Sequence, residues 1–157
     1  MTRRDALLRL WRILGIVALA EILAVVVLFL RPRKPKPREG AYGGIVTAGP
    51  VASFDPGSVT AFAKGQFYLV RLEDGGFLAL SRRCTHLGCT VPWIESDRRF
   101  ACPCHASSFD VTGAVLSAPA PRPLDLYRVF VEDGMVRVDT SLALARKRFE
   151  PSQAVRG

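Results

Sequence analysis

Two short segments hold every cysteine and every histidine of this 157-residue chain: Cys84-Thr85-His86-Leu87-Gly88-Cys89 and Cys102-Pro103-Cys104-His105-Ala106-Ser107-Ser108-Phe109. The first offers Cys-x-His and the second Cys-x-x-His, with one cysteine left over in each. Two thiolates and two imidazoles suit tetrahedral zinc or the mixed ligation of an iron-sulfur cluster, and four cysteines also suit two disulfides. Zinc leaves Cys89 and Cys104 without a role. Two disulfides leave both histidines as bystanders, although each lies within three residues of a cysteine.

The pair of boxes resembles those of the Rieske proteins, in particular those of cytochrome bc-type complexes, which carry the two extra cysteines. The resemblance implies one 2Fe-2S cluster, with Cys84 and Cys102 on one iron and His86 and His105 on the other, and a disulfide clasp between Cys89 and Cys104. An oxidised cluster with two thiolates and two neutral imidazoles sums to zero charge, where four thiolates leave it at minus two. Such a site accepts an electron at roughly −150 to +300 mV, against about −400 mV for plant-type ferredoxins. The clasp would close a loop of about fifteen residues, worth on the order of 3 kcal/mol in the chain-entropy view, and implies an oxidising compartment.

The same resemblance extends to other residues. Ala118-Pro119-Ala120-Pro121 is similar to the proline-rich loop that covers the cluster, which in the family more often begins with glycine. Ser107 matches a serine whose hydroxyl donates to a bridging sulfide, and Phe109 stands where a tyrosine donates to a ligand thiolate. One donor is kept and one is missing, which implies a potential below that of two-donor proteins, matched to a low-potential quinol such as menaquinol. Leu87 falls on the docking surface. The resemblance spans most of residues 41–140. It implies the electron-transfer subunit of a quinol:cytochrome c-type oxidoreductase, in which His86 or His105 takes a proton from quinol as the electron passes to the cluster and on to a cytochrome. The partners would be cytochrome b-like and cytochrome c-type subunits, and the chain alone would not turn over. Two alternatives stand beside it: the Rieske subunit of a molybdenum oxidoreductase such as arsenite oxidase, and a non-redox zinc-binding module.

Charge and hydropathy place this domain on an anchor. The net charge of +8 is uneven: residues 1–40 net +6, residues 41–140 net −1 and residues 141–157 net +3. A nucleic-acid module would concentrate basic charge on the fold, so no nucleic-acid partner is expected, and membrane headgroups or an acidic protein surface fit the tails better. Residues 13–30 are apolar apart from Glu21, and thirteen of the eighteen are Leu, Ile, Val or Phe. At roughly −0.4 kcal/mol each these offset a cost near +3 kcal/mol for a central carboxylate, so a transmembrane helix is predicted. Glu21 is read as a contact to a neighbouring helix, and Trp11 suits the interface. Thr2-Arg3-Arg4-Asp5-Ala6-Leu7 resembles a twin-arginine export signal, with Ala6 at the usual phenylalanine position. That orients residues 1–12 inside the bacterial cytoplasmic membrane and the folded domain on its outer face, behind an uncleaved anchor.

Residues 31–44 alternate proline with like charge before Gly43 and Gly44, a composition that favours an extended tether of roughly 3.1 Å per residue. Residues 45–140 read as all-β, and the resemblance implies a Rieske-type β-sandwich with a cluster-binding hairpin subdomain. Hairpins are predicted for 67–72 with 77–81, 91–94 with 99–101, and 124–131 with 135–139. The middle one separates the boxes and brings both loops to one tip. Trp93 is read as a core aromatic. Residues 141–157 carry no strong signature and are read as a solvated or docking basic tail.

Overall fold

A computed structural model of the chain describes residues 2–31 and 42–157, and the chain divides into two compact units, residues 1–35 and 36–157. The first unit is helix α1, Arg3–Leu30. It begins ten residues ahead of the apolar stretch because Thr2 and Asp5 form a capping box: the Thr2 hydroxyl accepts from Asp5 N–H, and the Asp5 carboxylate accepts from Thr2 N–H at 3.1 Å, satisfying donors that the first turn leaves orphaned. At about 1.5 Å per residue its 28 residues extend roughly 42 Å. The helix is long and apolar enough to cross a membrane by length and composition, and all its side chains are exposed. Of the segment read as a tether, residues 32–41 lie outside the described residues.

The second unit holds ten strands: β1 Ile45–Pro50, β2 Val59–Phe62, β3 Phe67–Arg71, β4 Phe77–Ser81, β5 Trp93–Ile94, β6 Arg99–Ala101, β7 Ser108–Phe109, β8 Val115–Ser117, β9 Leu126–Glu132 and β10 Met135–Leu144. They form a six-stranded antiparallel sheet in the order β1-β10-β9-β4-β3-β2 and a four-stranded antiparallel sheet in the order β5-β6-β7-β8. The all-β architecture expected for the domain, with a large sheet and a small one, is therefore observed. The three predicted hairpins are present. The outer two strands β1 and β2, and the very short β7 and β8, add to them.

The centre of the large sheet is buried on both faces, and its sequence shows why. Side chains alternate across a strand, so in β3 and β4 Tyr68, Val70, Leu78 and Leu80 enter a core shared with Val91, Phe100, Phe109 and both Cys84 and Cys102. Phe67, Leu69, Phe77 and Ala79 enter the opposite core with Tyr127, Val129, Val136 and Val138. Burying each large side chain contributes roughly 1.5–3 kcal/mol. The first of these cores puts the small sheet against the large one and seats both cysteine boxes at its edge.

The C-terminal segment, read from the sequence as a solvated or docking tail, is largely exposed but is pinned to the domain at Arg146 and Ala154, which are buried. Strand β10 runs on to Leu144, and Val155 pairs with Phe77 through bonds of 2.8 and 3.0 Å. Arg146 is buried: its Nε donates to Leu124 O at 2.9 Å, Nη1 to Gln153 Oε1 at 2.9 Å, and Nη2 to Thr112 O. Burial lowers its guanidinium to about 10, with Asp110 and Asp125 acting in the opposite direction. Gly113 leaves the space it fills, because a Cβ there would lie 2.7 Å from Arg146 Nη2.

Candidate metal centre

The two boxes fold into the same loop. In the first, Cys84 N–H donates to Cys89 O at 2.8 Å and Gly88 N–H to Cys84 O at 2.8 Å. Eighteen residues on, Cys102 N–H donates to Ser107 O at 2.8 Å and Ala106 N–H to Cys102 O at 3.1 Å. Each loop turns through a residue at positive φ, Gly88 at 80° and Ala106 at 59°; glycine takes this conformation freely, and alanine does so at a steric cost. Between them β5 and β6 pair Trp93 with Phe100 and Ile94 with Arg99, and Trp93 packs on Phe100 with ring centroids 4.7 Å apart. That hairpin returns the chain so that both loops occupy one end of the subdomain.

A disulfide joins Cys89 to Cys104 across the loops, with Cα atoms 6.7 Å apart. Cys84 and Cys102 are free and buried. Burial pushes the Cys84 thiol up; the neighbouring Cys102 thiol adds to this, while the His86 backbone N–H and the Ser107 hydroxyl act against it. The His86 and His105 rings meet edge to face with centroids 4.9 Å apart. His105 is exposed and His86 half-buried, and Leu87 beside it is 69% exposed. The sulfurs of Cys89, Cys102 and Cys104 lie within 4.8 Å of one another, but two of them are bonded together and so do not act as thiolate ligands. What remains for a metal group is two buried thiols and two imidazoles, the donor set of a mixed-ligand iron-sulfur centre. A disulfide-only arrangement is excluded by the free pair.

The proline-rich segment is fastened to both loops. The Thr85 hydroxyl donates to Arg122 O at 2.6 Å, and Ala120 N–H donates to Ser107 Oγ at 3.0 Å. Ser107 is fully buried; its oxygen accepts from Ala120, and its hydroxyl, which acts to lower the Cys84 thiol, keeps a proton to donate. Farther along, Ser81 N–H donates to Asp125 O and Leu124 N–H to Gly113 O, while Arg122 pairs with Asp125. Beside the first loop lies a cleft of about 280 Å³, bordered by Arg83, Cys84, Thr85, His86, Asp125 and Tyr127. Burial pushes the Tyr127 hydroxyl up to about 12, opposed by its hydrogen bond to Ser81.

All six residues of the expected ligand-and-clasp set thus meet at one tip, with Ser107 beneath them. Sequence reasoning did not single out Thr85, Arg83 or Arg146. Thr85 lies inside the first box, where position alone flags it, whereas nothing near Arg146 in the sequence marks it as buried.

A fold of this kind, with paired loops carrying two free thiols, two imidazoles and a cross-loop disulfide, defines a Rieske-type iron-sulfur domain. The profile of the Rieske [2Fe-2S] domain matches residues 45–128, and the chain belongs to that family and carries a Rieske 2Fe-2S cluster. It is 36% identical over 133 residues to the cytochrome b6-f complex iron-sulfur subunit of Synechococcus sp. WH7803, covering 78% of this chain and 75% of that one. It is 36% identical over 116 residues to cytochrome b6-f complex iron-sulfur subunit 1 of Synechocystis sp. PCC 6803, covering 65% of each. The match takes in only 30% of either iron-sulfur subunit from the Cyanophora paradoxa cyanelle. Among solved structures, naphthalene 1,2-dioxygenase superposes with a TM-score of 0.53 at 18% identity, over 64% of this chain and 27% of that one, which is a likeness of fold. The profile accounts for the domain, and helix α1, outside it, supplies an apolar segment of membrane-spanning length.

Proposed function

We propose that this chain is the electron-transfer subunit of a quinol-oxidising complex of the cytochrome bc type, with Cys84 and Cys102 on one iron of its cluster and His86 and His105 on the other. The observation that carries this reading is the asymmetry of the site: both thiols are buried, while one imidazole is exposed and the other half-buried. Bound there, the cluster supplies one-electron chemistry in the potential range of quinols and cytochromes. The chain's own part is to present His105 or His86 to a quinol hydroxyl, accept its hydrogen bond and hold its proton at an imidazole nitrogen. The apolar core around the buried thiols excludes water from the opposite side. Similarity to the cytochrome b6-f subunits supports cytochrome partners.

The same reading places residues 1–12 inside and the domain outside a bacterial cytoplasmic membrane, anchored by residues 13–30, with residues 31–44 as the tether that lets the domain travel between quinol and cytochrome. Leu87 belongs to the docking face, being exposed and next to a ligand without being one. Its replacement supplies the test: in the purified complex, Leu87→Ala should keep the cluster spectrum and slow cluster reduction by quinol in stopped flow. An unchanged rate refutes the placement of the quinol face.

A further inference from the structure

Arg83 precedes the first ligand cysteine and has no part in the ligand set. It is bridged to Thr90 across the neck of the first loop, and its N–H donates to Ser81 Oγ at 3.3 Å. From this fixed root the side chain lies against the loop. A Cβ on Gly88 would lie 3.3 Å from Arg83 Nη2, 3.8 Å from Nε and 4.0 Å from Cζ. The guanidinium therefore rests on the turn between His86 and Cys89, and it borders the same cleft as Cys84, Thr85 and His86. Gly88, at φ 80°, suits this approach, since a Cβ there would press on the guanidinium.

Among the described residues, the charge of Arg83 is not offset by a carboxylate, unlike that of Arg122. Arg122, on the same cleft, is paired with Asp125, and the Arg82 guanidinium sits 5.3 Å over the Tyr68 ring. Among the described residues, no carboxylate reaches Arg83 at salt-bridge distance.

We propose that Arg83 is a positioned positive charge that raises the reduction potential of the cluster. The inference rests on the ligand assignment proposed above, because it needs the group to sit on Cys84 and His86. Reduction adds one negative charge to that group, and a cation held beside it favours the reduced form over the oxidised one. The effect opposes that of Phe109, which brings no hydroxyl to the cluster. It acts through charge rather than a hydrogen bond, so it must scale with charge. Because Arg83 is exposed, it must also weaken as salt screens it.

The test is a redox titration by EPR of the whole cluster-loaded chain in detergent, comparing the wild type with Arg83→Gln, Arg83→Lys and Arg83→Glu. The potential should fall in Arg83→Gln, fall by about twice as much in Arg83→Glu, whose charge change is twice as large, and stay near the wild-type value in Arg83→Lys. The shifts should shrink between about 0.01 and 1 M salt, where the screening length drops from roughly 30 to 3 Å. Equal potentials in wild type and Arg83→Gln overturn the proposal. An equal fall in Arg83→Lys and Arg83→Gln also overturns it, by assigning the effect to contact with Gly88, and loss of the cluster in Arg83→Gln does so by making the residue structural. Cys102→Ser, titrated alongside, separates the two readings. If its signal is lost and Arg83→Gln does not shift, the charge argument fails alone; if Cys102→Ser keeps a normal signal, the ligand assignment fails.

Discussion

Ser107→Ala separates two jobs that the structure gives to one hydroxyl. Ser107 is completely buried and accepts the Ala120 N–H at 3.0 Å, and its hydroxyl keeps a proton to donate beside the Cys84 thiol, which it acts to lower. Removing the oxygen leaves the Ala120 amide without a partner under a covering loop where Ala120 is itself 6% exposed. A buried donor left unsatisfied costs about 1–3 kcal/mol, and that loss should appear as a lower denaturation midpoint for the domain. Removing the donated proton acts on the cluster instead. A neutral hydrogen bond contributes about 1 kcal/mol and one to a charged acceptor about 1.5–3 kcal/mol, so strengthening on reduction is of order 0.5–1 kcal/mol. With about 59 mV per tenfold change for one electron, and about 1.4 kcal/mol per tenfold, the potential should fall by roughly 20–40 mV. EPR-monitored redox titration measures the shift, and iron content confirms that the cluster is retained. A potential that is unchanged or higher in a fully loaded variant refutes the donor role, whatever the stability does.

Phe109→Tyr should move the potential the other way, upward by some tens of millivolts for one new donor, because Phe109 lies in the same core as both free cysteines; a loaded variant with no rise, and its hydroxyl shown to reach a thiolate, counts against this. Cys102→Ser and His105→Ala should abolish the 2Fe-2S EPR signal, whereas Cys89→Ser and Cys104→Ser should load a cluster in a domain less stable by about 3 kcal/mol, measured by denaturant unfolding; identical behaviour of all four would deny the division between ligands and clasp. Arg146→Met should cost about 2–4 kcal/mol, since it strips charged donors from the Leu124 and Thr112 carbonyls, and wild-type stability would show that these bonds offset no more than the burial of the charge.

How far the sequence could be read depended on whether a residue's partner was local. Strands β3 and β4 were legible because each opens with four apolar or aromatic residues on either side of Glu73-Asp74-Gly75-Gly76, and those residues prove buried on two faces. The turn at Asp133-Gly134 was legible for a similar reason: both residues take positive φ and Met135 pairs with Glu132, the two-residue hairpin loop that an Asp-Gly pair favours. Strand β1 was obscured by Gly49 and Pro50, which belong to an irregular register against β10. Strands β7 and β8 have only two and three residues, too few for any period to show. The two boxes stood out because ligand chemistry restricts residue types at close spacing. The bonds that carry Arg146 into the fold reach across 22 and 34 positions, and no window of the chain contains both ends.

Those long reaches explain why the pinned C-terminus matters to a site on the opposite side of the sequence. Arg146 holds Leu124 O, and Leu124 N–H holds Gly113 O in the turn that follows the second box. From Leu124 the chain leads back through Arg122, bound by Thr85 of the first loop, to Ala120, bound by Ser107 of the second. The covering segment is thus fastened to both cluster loops at one end and to a buried guanidinium at the other. The disulfide ties the loops directly, and the segment ties them a second time without a covalent bond. A loop pair held twice has little freedom to relax when the charge between its cysteines changes, so the donors and charges around it act on the potential from fixed positions. That is why single side chains such as Ser107, Phe109 and Arg83 should shift the potential without altering the ligand geometry, and why loosening Arg146 should weaken the cluster's hold before it unfolds the sheet.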